Sequence, residues 1–98
     1  MKYSREELVD IARQTVATLY GLPDNCLSYL TDMKEYSGYT IRDYNQPYIV
    51  LYLAFGNIEP GAERVALAHP QWKDYFGAYH VTVNVETGEI EDAFFDAR

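Results

Sequence analysis

Basic side chains are scarce in this chain. Lys and Arg number eight against fifteen Asp and Glu, which gives a net charge of −7 at pH 7. Proteins that bind phosphate backbones directly use clustered Lys and Arg, so we expect no direct contact with nucleic acid. A basic protein partner is favoured instead, because an acidic field speeds its encounter. A charge of this size also suits plain solubility.

Cysteine and long apolar runs are lacking too. The single cysteine, Cys26, excludes an internal disulfide, which fits a reducing compartment. No apolar stretch approaches the ~18 residues of a membrane span. No apolar segment typical of a signal peptide follows Met1. These features predict a cytoplasmic protein that has no membrane partner.

Signals of chemistry are few. The glycines are isolated, so the sequence contains no phosphate-binding loop. Cys26 with His69 or His80 is a conceivable nucleophile–base pair, but a buried and inert cysteine is the commoner state. His69, Asp74 and His80 match no spacing of known metal sites. We therefore predict no enzyme activity, no cofactor and no metal.

The start of the chain predicts an amphipathic helix over residues 4–20. Ser4 and Glu7 have the spacing of a capping box, and Gly21 with Pro23 ends the helix. Apolar residues recur at helical spacing at Leu8, Ile11, Ala12, Val16 and Leu19.

Alternating side chains predict strands in the middle of the chain. Strands are expected within residues 27–33 and 39–44. Residues 48–55 are almost continuously apolar and predict a central strand with both faces covered or contacting a partner. Residues 70–76 fit a helical turn with proline at an early position. The conformation of residues 57–77 is otherwise left open.

The last twenty residues predict a hairpin with an acidic rim. Gly88 supplies the positive φ of a turn before a second strand begins at Ile90. The acids are Glu86, Glu89, Glu91, Asp92 and Asp96. Glu89 and Glu91 would lie ~6.6 Å apart on one strand face, a separation that glycosidases can use, although a solvated edge is favoured. After Asp92 the alternation fails, which indicates a bulge or a strand buried on both sides.

The order of these elements predicts the fold class. A single amphipathic helix must bury its apolar stripe, and the available layer is one face of the sheet. For a chain of 98 residues one domain is the default. Residues 1–98 are therefore predicted to form a single two-layer α+β domain, in which one N-terminal helix packs on a four- to five-stranded antiparallel sheet.

The two ends of the chain resemble the PepSY-like and cystatin-like small α+β domains. PepSY domains open with a Thr/Ser-x-x-Glu helix, which residues 4–12 resemble, and end with a strand, a Thr-Gly-Glu turn and a strand, which residues 83–90 resemble. Several small bacterial immunity proteins look like the same helix-then-sheet plan. The resemblance implies inhibition or binding rather than chemistry.

We expect a small, acidic, non-enzymatic domain that inhibits or antagonises a basic protein partner. Toxin-immunity proteins and phage anti-defence proteins, including anti-CRISPR proteins, have this profile. An acid-rich surface can occupy a nucleic-acid site by matching its charge. The predicted contacts are the five acids of the hairpin, with Tyr36, Tyr39 and Tyr44 as aromatic contacts.

Two alternatives stay open. A PepSY-like or cystatin-like ligand-binding or regulatory domain would hold a small molecule between helix and sheet, with Arg42 or His80 among the polar groups. A self-assembling unit would form a homodimer through a sheet edge, if residues 48–55 lay at that edge.

Overall fold

A capping box starts the first helix, as predicted. The structure, a computed structural model, describes residues 3–42, 46–55 and 67–97. Helix α1 spans Arg5–Tyr20. The Ser4 Oγ accepts the Glu7 N–H at 3.1 Å, and the Glu7 carboxylate accepts the Ser4 N–H at 2.9 Å. Gly21 ends α1 in the left-handed region at φ 68°, where its N–H donates to the Ala17 carbonyl.

The buried stripe of α1 differs in part from the predicted one. Its buried residues are Leu8, Val9, Ala12 and Val16. Ile11 is only half-buried, and Leu19 is 60% exposed, so the prediction was wrong for Leu19. A row of residues at i, i+4 spacing is inclined to the helix axis. The contact line therefore drifts towards Tyr20, whose ring packs on Tyr79 with centroids 5.4 Å apart, and Leu19 falls beside it.

The described strands form one antiparallel sheet. They are β1 (Leu30–Asp32), β2 (Gly38–Arg42), β3 (Gln46–Phe55), β4 (Gly77–Asn84) and β5 (Ile90–Ala97). β3 pairs with β4 on one side and with both β1 and β2 on the other, and β5 pairs with β4. Helix α1 packs on one face of this sheet. The predicted two-layer α+β fold with an antiparallel sheet is confirmed.

The central position predicted for β3 is confirmed, but its two faces differ. Ile49, Leu51 and Leu53 have no exposed surface, whereas Val50 and Tyr52 are half-buried. We call the face that α1 covers the inner face and the opposite one the outer face. Since successive side chains of a strand alternate between faces, the outer face is the less covered of the two.

The strand predicted over residues 27–33 is confirmed only in part, because residues 27–29 belong to a 3₁₀ helix. This helix, η1, spans Asp24–Tyr29, and only Leu30–Asp32 is extended. Cys26 and Leu27, adjacent in the chain, are both buried. A strand would point them to opposite faces, whereas a helical turn places both against the core. The Cys26 N–H, which donates to the Pro23 carbonyl at 3.0 Å, closes that turn.

The terminal hairpin is confirmed, with its bulge earlier than predicted. Thr82 pairs with Asp92 and Val83 with Ile90, so Glu91 is the extra residue. Beyond this bulge the alternation resumes, with Phe95 opposite Tyr79 on the inner face and Phe94 opposite His80 on the outer face. The bulge therefore precedes Asp92 rather than following it, which places the two adjacent phenylalanines on opposite faces.

The helical turn predicted near Pro70 is confirmed. Two further 3₁₀ helices lie within the described residues, η2 (Lys34–Tyr36) and η3 (Pro70–Tyr75). Trp72 of η3 is buried and stacks on His69, with ring centroids 3.8 Å apart and planes 11° apart. Tyr29 of η1 contacts both rings. Through Trp72, this aromatic cluster packs η3 onto the core.

Candidate binding surface on the outer face

Four aromatic rings cross the outer face of the sheet in a continuous line. We call this line the aromatic row: Tyr36 of η2, Tyr52 of β3, His80 of β4 and Phe94 of β5. Successive ring centroids are 5.1, 4.7 and 4.4 Å apart. The row runs across the strands, from the β1–β2 side of the sheet to β5.

Strand register builds the aromatic row. Tyr52 lies directly opposite His80, and His80 lies directly opposite Phe94. Directly opposed aromatic side chains in antiparallel strands attract one another. Tyr52 meets His80 edge-on, whereas His80 and Phe94 stack with planes 3° apart. Both arrangements suit aromatic rings, so the row is preformed.

The ends of the aromatic row are open to solvent. Tyr36 is 58% exposed and Phe94 is 50% exposed, whereas Tyr52 and His80 are half-buried between them. Sequence reasoning predicted Tyr36 as a contact but missed the other three. The alternation around His80 indicates an outward side chain, but only strand register places Tyr52 and Phe94 beside it.

Two of the predicted acids flank the aromatic row. Asp92 and Asp96 lie two residues to either side of Phe94 on β5, and both are exposed. Residues at i, i+2 and i+4 of a strand share one face at steps of ~6.6 Å. The outer side of β5 therefore presents a carboxylate, an aromatic ring and a carboxylate in sequence.

The other three acids lie elsewhere on the hairpin. Glu86 and Glu89 are exposed in the turn, and Glu91 is exposed at the bulge. The interpretation of Glu89 and Glu91 as neighbours on one strand face was wrong, because β5 begins only at Ile90 and Glu91 is the bulged residue.

Asn84 holds the acidic turn in one conformation. Its Oδ1 accepts the N–H groups of Glu86 and Thr87 at 2.8 and 3.1 Å, and its Nδ2 donates to the Gln46 Oε1 at 3.0 Å. Asn84 is almost fully buried. An Asn side chain that accepts backbone N–H groups two and three residues further along the chain is typical of a turn. Sequence analysis missed this role because Asn84 fits the alternation of the preceding strand. Gly88, at φ 74°, adopts the predicted positive φ.

The three predicted tyrosines do not form one surface. Tyr39 is 71% exposed, but on β2 it pairs with Ile49, an inner-face residue. It lies near Arg5 of α1 and helps to raise the pKa of that guanidinium, after the larger effect of Asp32. Tyr36 belongs to the outer face, and Tyr44 lies outside the described residues.

A charged cavity of about 450 Å³ lies beside the first half of α1. Its lining consists of Arg5, Glu6, Val9, Asp10, Arg13, Asp32 and Lys34. Arg5 binds Asp32 through two hydrogen bonds of 2.7 and 2.9 Å, and the Arg13 Nε donates to the Leu30 carbonyl at 2.8 Å. Both guanidinium groups are therefore already occupied. His80, suggested for a pocket between helix and sheet, lies on the opposite face, and the Arg42 side chain lies outside the described part.

The cysteine and histidine residues are arranged for packing. Cys26 is fully buried, and burial raises the pKa of its thiol, so the thiolate that nucleophilic chemistry requires is disfavoured at neutral pH. His69 stacks on Trp72, and His80 belongs to the aromatic row. Within residues 3–42, 46–55 and 67–97, no three His, Cys, Asp or Glu side chains are grouped so as to hold a metal ion.

Comparison of the chain with protein-family models, curated proteins and solved structures gives no match. The resemblance to PepSY-like domains and immunity proteins therefore stays a prediction. None of the described helices has both the length and the apolar character needed to cross a bilayer.

Proposed function

We propose that this protein is a non-enzymatic binding protein that engages a basic protein partner through the outer face of its sheet and so inhibits it. The observation that carries the proposal is the aromatic row, whose exposed end at Phe94 lies between Asp92 and Asp96. Exposed rings supply contact area at low entropic cost, and aromatic residues are enriched at interfaces.

Charge supports a basic partner. The second half of the chain, residues 50–98, holds three bases and eight acids, and its hairpin acids are exposed. Partner Lys or Arg residues would pair with Asp92 and Asp96. An Arg side chain would also stack on the exposed faces of Tyr36 or Phe94. Such charges speed encounter and select partners more than they add affinity.

Inhibition is proposed because basic, partly apolar surfaces occur in the grooves that bind nucleic acid. Grooves that bind single-stranded nucleic acid combine a positive charge with aromatic platforms. An acidic face with exposed rings complements such a groove. We therefore propose a nucleic-acid-handling protein as the target, and competition with its nucleic acid as the means of inhibition.

A pair of charge-matched variants tests the proposal. Asp92→Lys/Asp96→Lys, the face variant, reverses the two outer-face acids, and Asp24→Lys/Asp74→Lys, the control variant, reverses two exposed acids of η1 and η3. Both change the net charge from −7 to −3. Each protein is immobilised and exposed to lysate of its native host at low and at high salt, and captured proteins are identified by mass spectrometry.

The proposal expects one basic protein that the wild type and the control variant capture and the face variant does not. With that protein purified, the association rate of the face variant at low salt should be at least about tenfold lower than that of the wild type. The rate should also depend less steeply on salt. Equal capture by the face variant would sink the proposal. Glu89→Lys/Glu91→Lys then maps how far the contact extends along the hairpin.

A small ligand is the second candidate, and the charged cavity beside α1 favours it. The cavity offers both Lys34 and Glu6 at its wall, which suits a small molecule carrying both charges. A thermal-shift screen of charged metabolites tests this, because a ligand that binds the folded state must stabilise it. Absence of any shift at millimolar ligand counts against the candidate.

A further inference from the structure

Strand β5 has a backbone edge that no described strand pairs with. It pairs with β4 over its length, from Gly77 opposite Ala97 to Val83 opposite Ile90, and it ends the order of strands in the sheet. An edge strand presents a row of N–H and C=O groups that another strand can bind. The far side of the sheet differs, since β1 and β2 divide it into short strands of three and five residues with η2 between them.

The side chains of β5 border this backbone edge on both faces of the sheet. On the outer side stand Asp92, Phe94 and Asp96, all exposed. On the inner side Ala93 and Phe95 pack on the core but stay only half-buried. The inner face therefore has an apolar rim that an added strand would cover.

A second copy of this chain is a poor occupant of the edge. Antiparallel pairing of two β5 strands about Phe94 would set Asp92 of each copy against Asp96 of the other, and like charges directly opposite destabilise a sheet. The apolar strand for which a homodimer was considered, residues 48–55, lies in β3 at the centre of the sheet. The condition set for that homodimer, residues 48–55 at a sheet edge, is therefore not met.

We infer that β5 accepts an extended basic segment of the partner as an added strand. The inference rests on the proposed function and specifies the chemistry of the partner. On its outer side the segment carries a basic, an apolar and a basic residue in alternation, which meet Asp92, Phe94 and Asp96. On its inner side it carries apolar residues that cover Ala93 and Phe95.

Strand geometry sets this pattern. Directly opposed side chains of neighbouring strands lie about 4.5–5.5 Å apart at Cβ, so each cation reaches one carboxylate and the apolar residue reaches the Phe94 ring. Backbone hydrogen bonds to the edge supply affinity, and the alternate side chains supply specificity, as in other cases of strand addition.

Synthetic peptides test the inference on the intact protein. The probe is a capped seven-residue peptide in which lysine, valine and lysine alternate with isoleucine, between threonine ends. A matched peptide carries glutamate in place of lysine. Two further peptides keep lysine but are N-methylated on alternate amides, one along each edge of the strand. Binding is measured by fluorescence anisotropy and by amide chemical shifts of the ¹⁵N-labelled protein.

The lysine peptide should shift amides of β5, and the glutamate peptide should bind at least tenfold more weakly. One N-methylated peptide should lose at least tenfold in affinity while the other keeps it, because only one edge of the peptide faces β5. The face variant should lose binding and the control variant should not. This set of results supports strand addition.

Three results would overturn the inference. One is no binding of the lysine peptide up to millimolar concentration. Another is equal binding by both N-methylated peptides, and the third is chemical shifts centred away from β5. Each leaves the proposed function standing, provided that capture of a basic partner still depends on Asp92 and Asp96.

Discussion

The two faces of the sheet are built from the same strands but differ in how deeply their side chains are buried. On β3 the inner side chains of Ile49, Leu51 and Leu53 are fully buried beneath α1, whereas Val50 and Tyr52 on the outer face stay half-buried. The inner face is aliphatic with buried rings at one end, and the outer face carries the aromatic row. One helix covers one face, so the main core lies on the inner side and the proposed binding surface lies on the outer side.

The largest expected effect is on the inner face. Phe55→Ala removes a ring that is 2% exposed and packs on Phe76 and Tyr79. We expect it to lower the free energy of unfolding by about 3–5 kcal/mol, measured by equilibrium denaturation. The outer-face control Tyr36→Ala, at a 58% exposed position, should cost less than about 1 kcal/mol. Similar losses for both would break the division between the faces.

A glycine at the start of β4 should give the next largest effect. Gly77 has φ 152°, and an added Cβ would collide with the Asp96 carbonyl and lie 2.7 Å from the Phe95 ring. Gly77→Ala combines backbone strain with overpacking, so we expect a loss of about 2–4 kcal/mol. Gly38→Ala is the matched control, because nothing lies within 4 Å of its added Cβ. Unfolding of the two variants at the same denaturant concentration would contradict the strain expected from the close approach at Gly77.

Two adjacent phenylalanines of β5 allow the two faces to be compared within one strand. Phe95 packs on Tyr79 and Tyr20, with ring centroids 4.6 and 6.0 Å apart, so Phe95→Ala should cost about 2 kcal/mol. Phe94→Ala, on the outer face, should cost less than about 1 kcal/mol. Partner binding should show the opposite order, with Phe94→Ala the more damaging. Loss of stability without loss of binding at position 94 would contradict the assignment of the outer face.

The smallest expected effect is on the pH dependence of the free energy of unfolding. It arises at the start of α1, the helix that covers the inner face. Hydrogen bonds from the Ser4 backbone and side chain lower the pKa of Glu7. A lowered folded-state pKa adds stability above the usual carboxyl pKa of ~4.3, and this stability is lost as pH falls through the folded-state value. Glu7→Gln keeps the hydrogen-bonding shape without the charge. Its unfolding free energy should fall less steeply than that of the wild type below about pH 5; parallel curves would contradict the linkage.

Local signals predicted the elements whose stabilising contacts are local. Ser4, Glu7 and Gly21 bound α1 through bonds within four residues, and Gly88 sets the hairpin turn by its own φ. The exposure of the five hairpin acids also follows from their place at the rim. These features could be inferred from short windows of sequence.

Register and tertiary packing account for the rest. Tyr52, His80 and Phe94 become neighbours only through the pairing of β3, β4 and β5, which no short window specifies. The bulge at Glu91 decides which face Asp92 and Asp96 share. Likewise Cys26 and Leu27 are both buried in the core, so tertiary burial overrides the strand pattern at residues 27–29.

The contact between α1 and the hairpin bears on when the protein can fold. The Tyr3 N–H donates to the Val85 carbonyl at 3.0 Å, and Gly88 lies against the Tyr3 ring and Ile11. Ribosomes add ~5–20 residues per second, so α1 is made seconds before the strands it covers. Helix α1 contacts β4 and β5, so part of the surface on which its apolar stripe docks is missing until these strands emerge. We expect a chain arrested before β4 to bind chaperones and to be cleaved readily within α1, whereas the chain that includes the hairpin resists both.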